Sequence, residues 1–73
     1  MEKYKFDHRK LRGEKKKRKL SFGKLADILK EWEPGASKAM VWRWANGGAE
    51  PSSSYLILLA KVFEKPMENF FSN

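Results

Sequence analysis

Seventy-three residues allow one domain with a small core, marginal unless its elements are helical and well packed. The chain has no Cys, which excludes disulfides and cysteine metal sites, and its one His cannot build a zinc site or a two-histidine relay. The net charge of +7 sits in the first third: residues 1–24 carry eleven Lys/Arg against Glu2, Asp7 and Glu14, a balance of +8, and residues 25–73 balance at −1.

Residues 1–6 read as a flexible basic arm of a single domain covering 1–73. Asp7 is the N-cap of a first helix running to about Lys17, with Leu11 as its clearest inward residue. The rest of that helix is very polar, and Gly13 costs it about 1 kcal/mol against Ala, so it is expected to fray. Ser21 caps a second helix, with Lys24 where a capping box would put Glu or Gln. Leu25, Ile28, Leu29 and Trp32 follow at i, i+3, i+4 and i+7, an amphipathic stripe that assigns Trp32 to the core. Pro34-Gly35 ends it.

Ser37 then caps a third helix, about Lys38 to Asn46, which Gly47 closes as its C′ residue. Met40, Val41 and Trp44 point inward at helical spacing. A loop, Gly47 to Pro51, leads to Ser52, the cap of a fourth helix from about Ser53 to Glu64 with Leu56, Leu59, Ala60 and Phe63 on one face. Pro66 starts a short last helix with Met67, Phe70 and Phe71 as its apolar contacts. No strand pattern is present, and the expectation is an all-α chain of five helices.

The outward face of the third helix carries the functional signal. Lys38, Ala39, Trp42, Arg43 and Asn46 combine cations, a small apolar group, an aromatic ring and an amide. Such a mix suits the DNA major groove, where Arg or Lys donates to guanine and apolar groups meet thymine methyls. Lys38 stands in the first turn, where the helix dipole favours anions, and a cation makes more sense there beside a phosphate or guanine. Arg43 is assigned to base or phosphate contact. Trp42 either meets a thymine methyl or packs on the end of the second helix, since Trp44 claims the core position.

Leu11-Arg12, Leu20-Ser21, Leu25-Ala26, Ser37 to Gly47, and Pro51-Ser52 followed by Leu56-x-x-Leu59-Ala60 resemble the Cro/C1-type helix-turn-helix family of phage repressors and bacterial regulators. The resemblance spans about residues 9–71. Val41, Arg43, Trp44, Asn46 and Gly47 fall in register with the family's third-helix signature. It implies a compact five-helix lambda-repressor-like domain. It also implies base-reading positions at Lys38, Ala39 and Arg43, to which Trp42 is added from its exposure. Backbone-facing positions fall at Arg12, Ser21, Phe22, Lys24, Ser37, Asn46 and Ser52.

Four departures stand out. Phe22 replaces a Gln, Gly48-Ala49-Glu50 replaces a basic loop, and Glu14 stands where a core Leu is frequent. The stretch from Leu25 to Ser37 is longer by about five residues and resembles the POU-specific branch.

The expected function is therefore a sequence-specific double-stranded DNA-binding transcriptional regulator, a repressor or mobile-element protein working in the cytoplasm at the nucleoid. Basic residues near the third helix suit phosphate attraction. The alternatives are an antitoxin-like interaction module with secondary DNA binding, and a non-specific nucleic-acid binder using the basic N-terminal third. Leu58 and Phe71 suggest an apolar surplus on helices four and five, hence a weak homodimer. No membrane partner is expected, because no apolar run approaches spanning length and Met1 to His8 lacks a signal-peptide core. No cofactor, metal or small-molecule substrate is implied. Neither is an enzyme: no paired carboxylates or Gly-rich phosphate loop are present, Ser52-Ser53-Ser54 has no base beside it, and His8 reads as a solvated helix residue.

Overall fold

Side-chain caps set most of the helix starts. Asp7, Ser21 and Ser37 stand in extended geometry and accept the backbone N–H of Arg9 at 3.0 Å, Lys24 at 3.0 Å and Met40 at 3.1 Å. The computed structural model describes residues 4–72. Their order is β1 (Lys5–Phe6), α1 (His8–Lys17), α2 (Phe22–Lys30), α3 (Lys38–Ala45), α4 (Ser53–Phe63), a 3₁₀ turn (Met67–Phe70) and β2 (Phe71–Ser72). Ser52 holds the cap position of α4 without a side-chain cap bond.

The five-helix, all-α expectation is corrected to four α-helices and a small antiparallel sheet. After Pro66 only a four-residue 3₁₀ turn forms, too short a run to repay the nucleation of an α-helix. The chain then extends, placing Phe71 opposite Phe6 and Ser72 opposite Lys5. The Phe6 and Phe71 rings meet edge to face at 6.1 Å. Three further bonds close this clasp. The Asp7 N–H donates to the Phe70 carbonyl at 2.7 Å, the Lys10 ammonium to the Phe71 carbonyl at 2.7 Å, and the Ser72 hydroxyl to the Asp7 carboxylate at 3.0 Å. The flexible arm assigned to 1–6 is thus docked at Lys5–Phe6, with Phe6 buried, while residues 1–3 of that assignment lie outside the described residues.

Leu11, Leu25, Leu29, Val41, Leu59, Phe63 and Phe70 are the largest side chains withdrawn from water. They form one core in which α3 packs on α2 and α1, and α4 packs on α2 and the 3₁₀ turn. Trp44 is buried against Tyr55, ring centres 5.0 Å apart. Glu14 is buried at 7 % exposure in the place where a Leu was expected. It receives the Asn69 amide at 3.4 Å, with the Lys17 and Lys65 ammonium groups at 3.7 and 3.9 Å, so its charge is compensated.

Two side-chain assignments are corrected. Trp32 is 52 % exposed rather than core, because α2 stops at Lys30 and the Trp32 and Glu33 N–H groups both turn back to the Leu29 carbonyl. Leu58, placed off the core stripe, is 8 % exposed: α4 is flanked by both α2 and the 3₁₀ turn, so a wider arc of it is covered. Helix α1, whose polar sequence favours fraying, makes contacts at both ends. Its start is held by the terminal clasp, and past its end the Arg18 guanidinium donates to the Phe63 carbonyl and lies over the Phe63 ring. Among the described residues no helix is long and apolar enough to cross a membrane.

Candidate nucleic-acid interface

Helix α3 has two chemically opposite sides because its sequence alternates with a helical period. Val41, Trp44 and Ala45 are buried, and Lys38, Ala39, Trp42 and Arg43 are exposed. Positions three and four apart are neighbours on a helix surface, so 38–42, 39–42 and 39–43 adjoin. The four side chains line one shallow depression of about 480 Å³ whose lining is almost wholly apolar. The cationic heads of Lys38 and Arg43 therefore belong to its rim, and their carbon stems to its wall. No acid occurs in Lys38–Ala45, and among the described residues neither cation has a salt-bridge partner.

The start of α2 adjoins this face. A Cβ on Gly23 would come within 3.9 Å of Lys38 Cδ, which places the stem of Lys38 beside the first turn of α2. Ser21 and Lys24, both exposed, flank that turn. The Ser21 and Ser37 oxygens are occupied as caps, yet each hydroxyl keeps its hydrogen as a donor. Phe22 is half-buried under the Lys15 ammonium, 4.3 Å from its ring centre. The same ammonium donates to the Leu20 carbonyl at 3.0 Å, so Lys15 braces the α1–α2 turn.

Other expected site residues fall elsewhere. Arg12 and Ser52 are exposed, on α1 and before α4, outside the lining of the depression. Asn46, matched to a backbone-facing position, turns inward on its own helix: its side-chain amide and its N–H both donate to the Trp42 carbonyl, at 2.9 and 3.0 Å. It caps α3 and anchors the backbone of Trp42. Gly47 then turns the chain at φ +82°, a conformation natural to glycine, and a Cβ there would stand 3.4 Å from the His8 ring. His8 is accordingly half-buried beside the end of α3 rather than solvated.

Sequence reasoning missed Lys15, Gly23 and the His8–Gly47 contact. The C′ glycine was the one available signal for the last, since it leaves open the space that a side chain would fill. Lys17 approaches Glu14 at 3.7 Å, and Arg18 is engaged by Phe63, so the cations of α1 are not all equally available. Arg9, Lys10, Arg12 and Lys16 on α1, and Lys19 just past it, are also exposed. Comparison with known protein families, with characterised proteins and with solved structures returns no match to this chain.

Proposed function

We propose that this chain is a sequence-specific double-stranded DNA-binding regulator of the Cro/C1-type helix-turn-helix kind, with α3 entering the major groove. One observation carries the reading: Lys38, Ala39, Trp42 and Arg43 share an exposed, acid-free face on a helix whose other face is core. In the groove Arg43 donates to a guanine edge, and Lys38 reaches a guanine or a phosphate at the α2–α3 junction. Ser21, Lys24 and the first turn of α2 meet the adjacent phosphates, where free N–H groups favour an anion. The exposed cations of α1 supply sequence-independent attraction. A repressor acting at the nucleoid in the cytoplasm follows from this reading.

The interaction-module alternative would need an apolar contact surface in the C-terminal half. Leu58, Phe63 and Phe70 are buried there, which weakens it, while Ile57 stays exposed and Phe71 is partly buried. The test is a salt-resolved binding measurement on duplexes selected from a random pool by this protein, against scrambled duplexes. Selected DNA is expected to bind at least about a thousandfold more tightly at physiological salt. Equal affinity for both, with a steep salt slope, would assign the protein to non-specific binding instead.

A further inference from the structure

We infer that Trp42 is the specificity-determining residue of a methyl-reading contact: the depression on α3 receives the C5-methyl group of a thymine. The inference rests on the duplex-binding reading above. Trp42 is 53 % exposed in mid-helix, while Trp44, two residues on, is buried. About half of the residue stays open to water, and its backbone carbonyl accepts both the side-chain amide and the N–H of Asn46. An indole carried on an anchored turn of helix and half left in water is set for a partner outside the fold. The neighbours define that partner's chemistry. The Ala39 methyl and the stems of Lys38 and Arg43 complete a carbon-lined hollow with two cations on its rim. A small apolar group surrounded by acceptors and anions is complementary to it. In the major groove that is the thymine methyl, which lies beside the O4 acceptor and between phosphates.

Thymine is the base whose methyl can be removed without changing its pairing. On a duplex selected by the protein, each thymine is replaced in turn by deoxyuridine. Binding is measured for the parent and for Trp42→Ala and Trp42→Phe, with circular dichroism confirming the fold. Burying one methyl corresponds to about fourfold in affinity. The parent is expected to lose about that factor at one thymine per bound copy, to the same extent at low and high salt. Trp42→Ala should bind thymine and uracil duplexes alike, and Trp42→Phe should keep part of the discrimination. A parent indifferent to every uracil substitution, or a Trp42→Ala protein that still discriminates, would overturn the methyl contact while leaving duplex specificity intact. Failure to select any duplex over random DNA would overturn both.

Discussion

A helix of eight residues leaves little room for side chains with two duties, and α3 separates them cleanly. Trp44 belongs to the core and Asn46 to the helix end, so under the proposed function discrimination between DNA sequences would fall to the outward four. Arg43 has the reach and the fork geometry for a guanine edge. Arg43→Ala is expected to cost about 1–3 kcal/mol on selected duplex and little on scrambled duplex, read by competition binding. An equal loss on both would mean that Arg43 touches phosphate alone. At the same scale Lys15 is less free to meet a phosphate than its exposed neighbours, because its ammonium is shared between the Leu20 carbonyl and the Phe22 ring.

At the scale of elements, α1 and α4 illustrate opposite lessons about exposed-looking side chains. On α1 and just past it the cations differ in availability, and Arg12, Lys16 and Lys19 are exposed without a salt-bridge partner among the described residues. Changing these three to Gln is expected to weaken binding to all duplexes alike. The slope of log affinity against log salt should flatten by up to about one unit per lost contact. An unchanged slope would make the basic face of α1 a bystander. On α4, Leu58 lies off the stripe drawn through Leu56, Leu59 and Phe63 but is covered all the same. Leu58→Lys is therefore expected to destabilise the fold by about 2–5 kcal/mol in urea denaturation, comparable to emptying a buried leucine site. A variant as stable as the parent would return Leu58 to the surface and revive it as a dimer contact.

For the whole molecule, the decisive feature is the meeting of its first and last described strands. The Asp7 carboxylate caps α1 and accepts the Ser72 hydroxyl, so one side chain joins a helix start to the last described strand. Burial by itself raises the Asp7 pKa, but the bonds from Ser72 and the Arg9 N–H, with the charges of Arg9 and Lys10, outweigh it and bring the carboxyl below its ordinary value of 3.8. A carboxylate whose pKa is lowered by folding stabilises the native state above its unfolded pKa and loses that contribution as pH falls through the folded one. Acid should thus loosen the clasp below about pH 4, within the ordinary carboxylate range. Asp7→Asn, which can still cap the helix, should make stability between pH 5 and about pH 2 less steeply acid-dependent. Parallel denaturation series for parent and variant measure the difference, and identical pH profiles would contradict the assignment.

What could be read directly from the order of residues is what local chemistry controls. Asp7, Ser21 and Ser37 mark helix starts through bonds spanning two or three residues, and Gly47 marks a stop, whereas α2 ends at Lys30, ahead of Pro34-Gly35. The two faces of α3 and the charge bias toward the first third are likewise properties of spacing and composition. The rest depended on approach in space. Two-residue strands give no period to detect, and Phe6 and Phe71 pair only because the packed helices bring them together. Trp32 continued a helical stripe on paper, but the helix ended before it. Glu14 looked misplaced until Asn69 and Lys65, more than fifty residues away, supplied its partners. A local pattern fixes which way a side chain points along its own helix; only the neighbouring elements decide whether anything waits there to cover it.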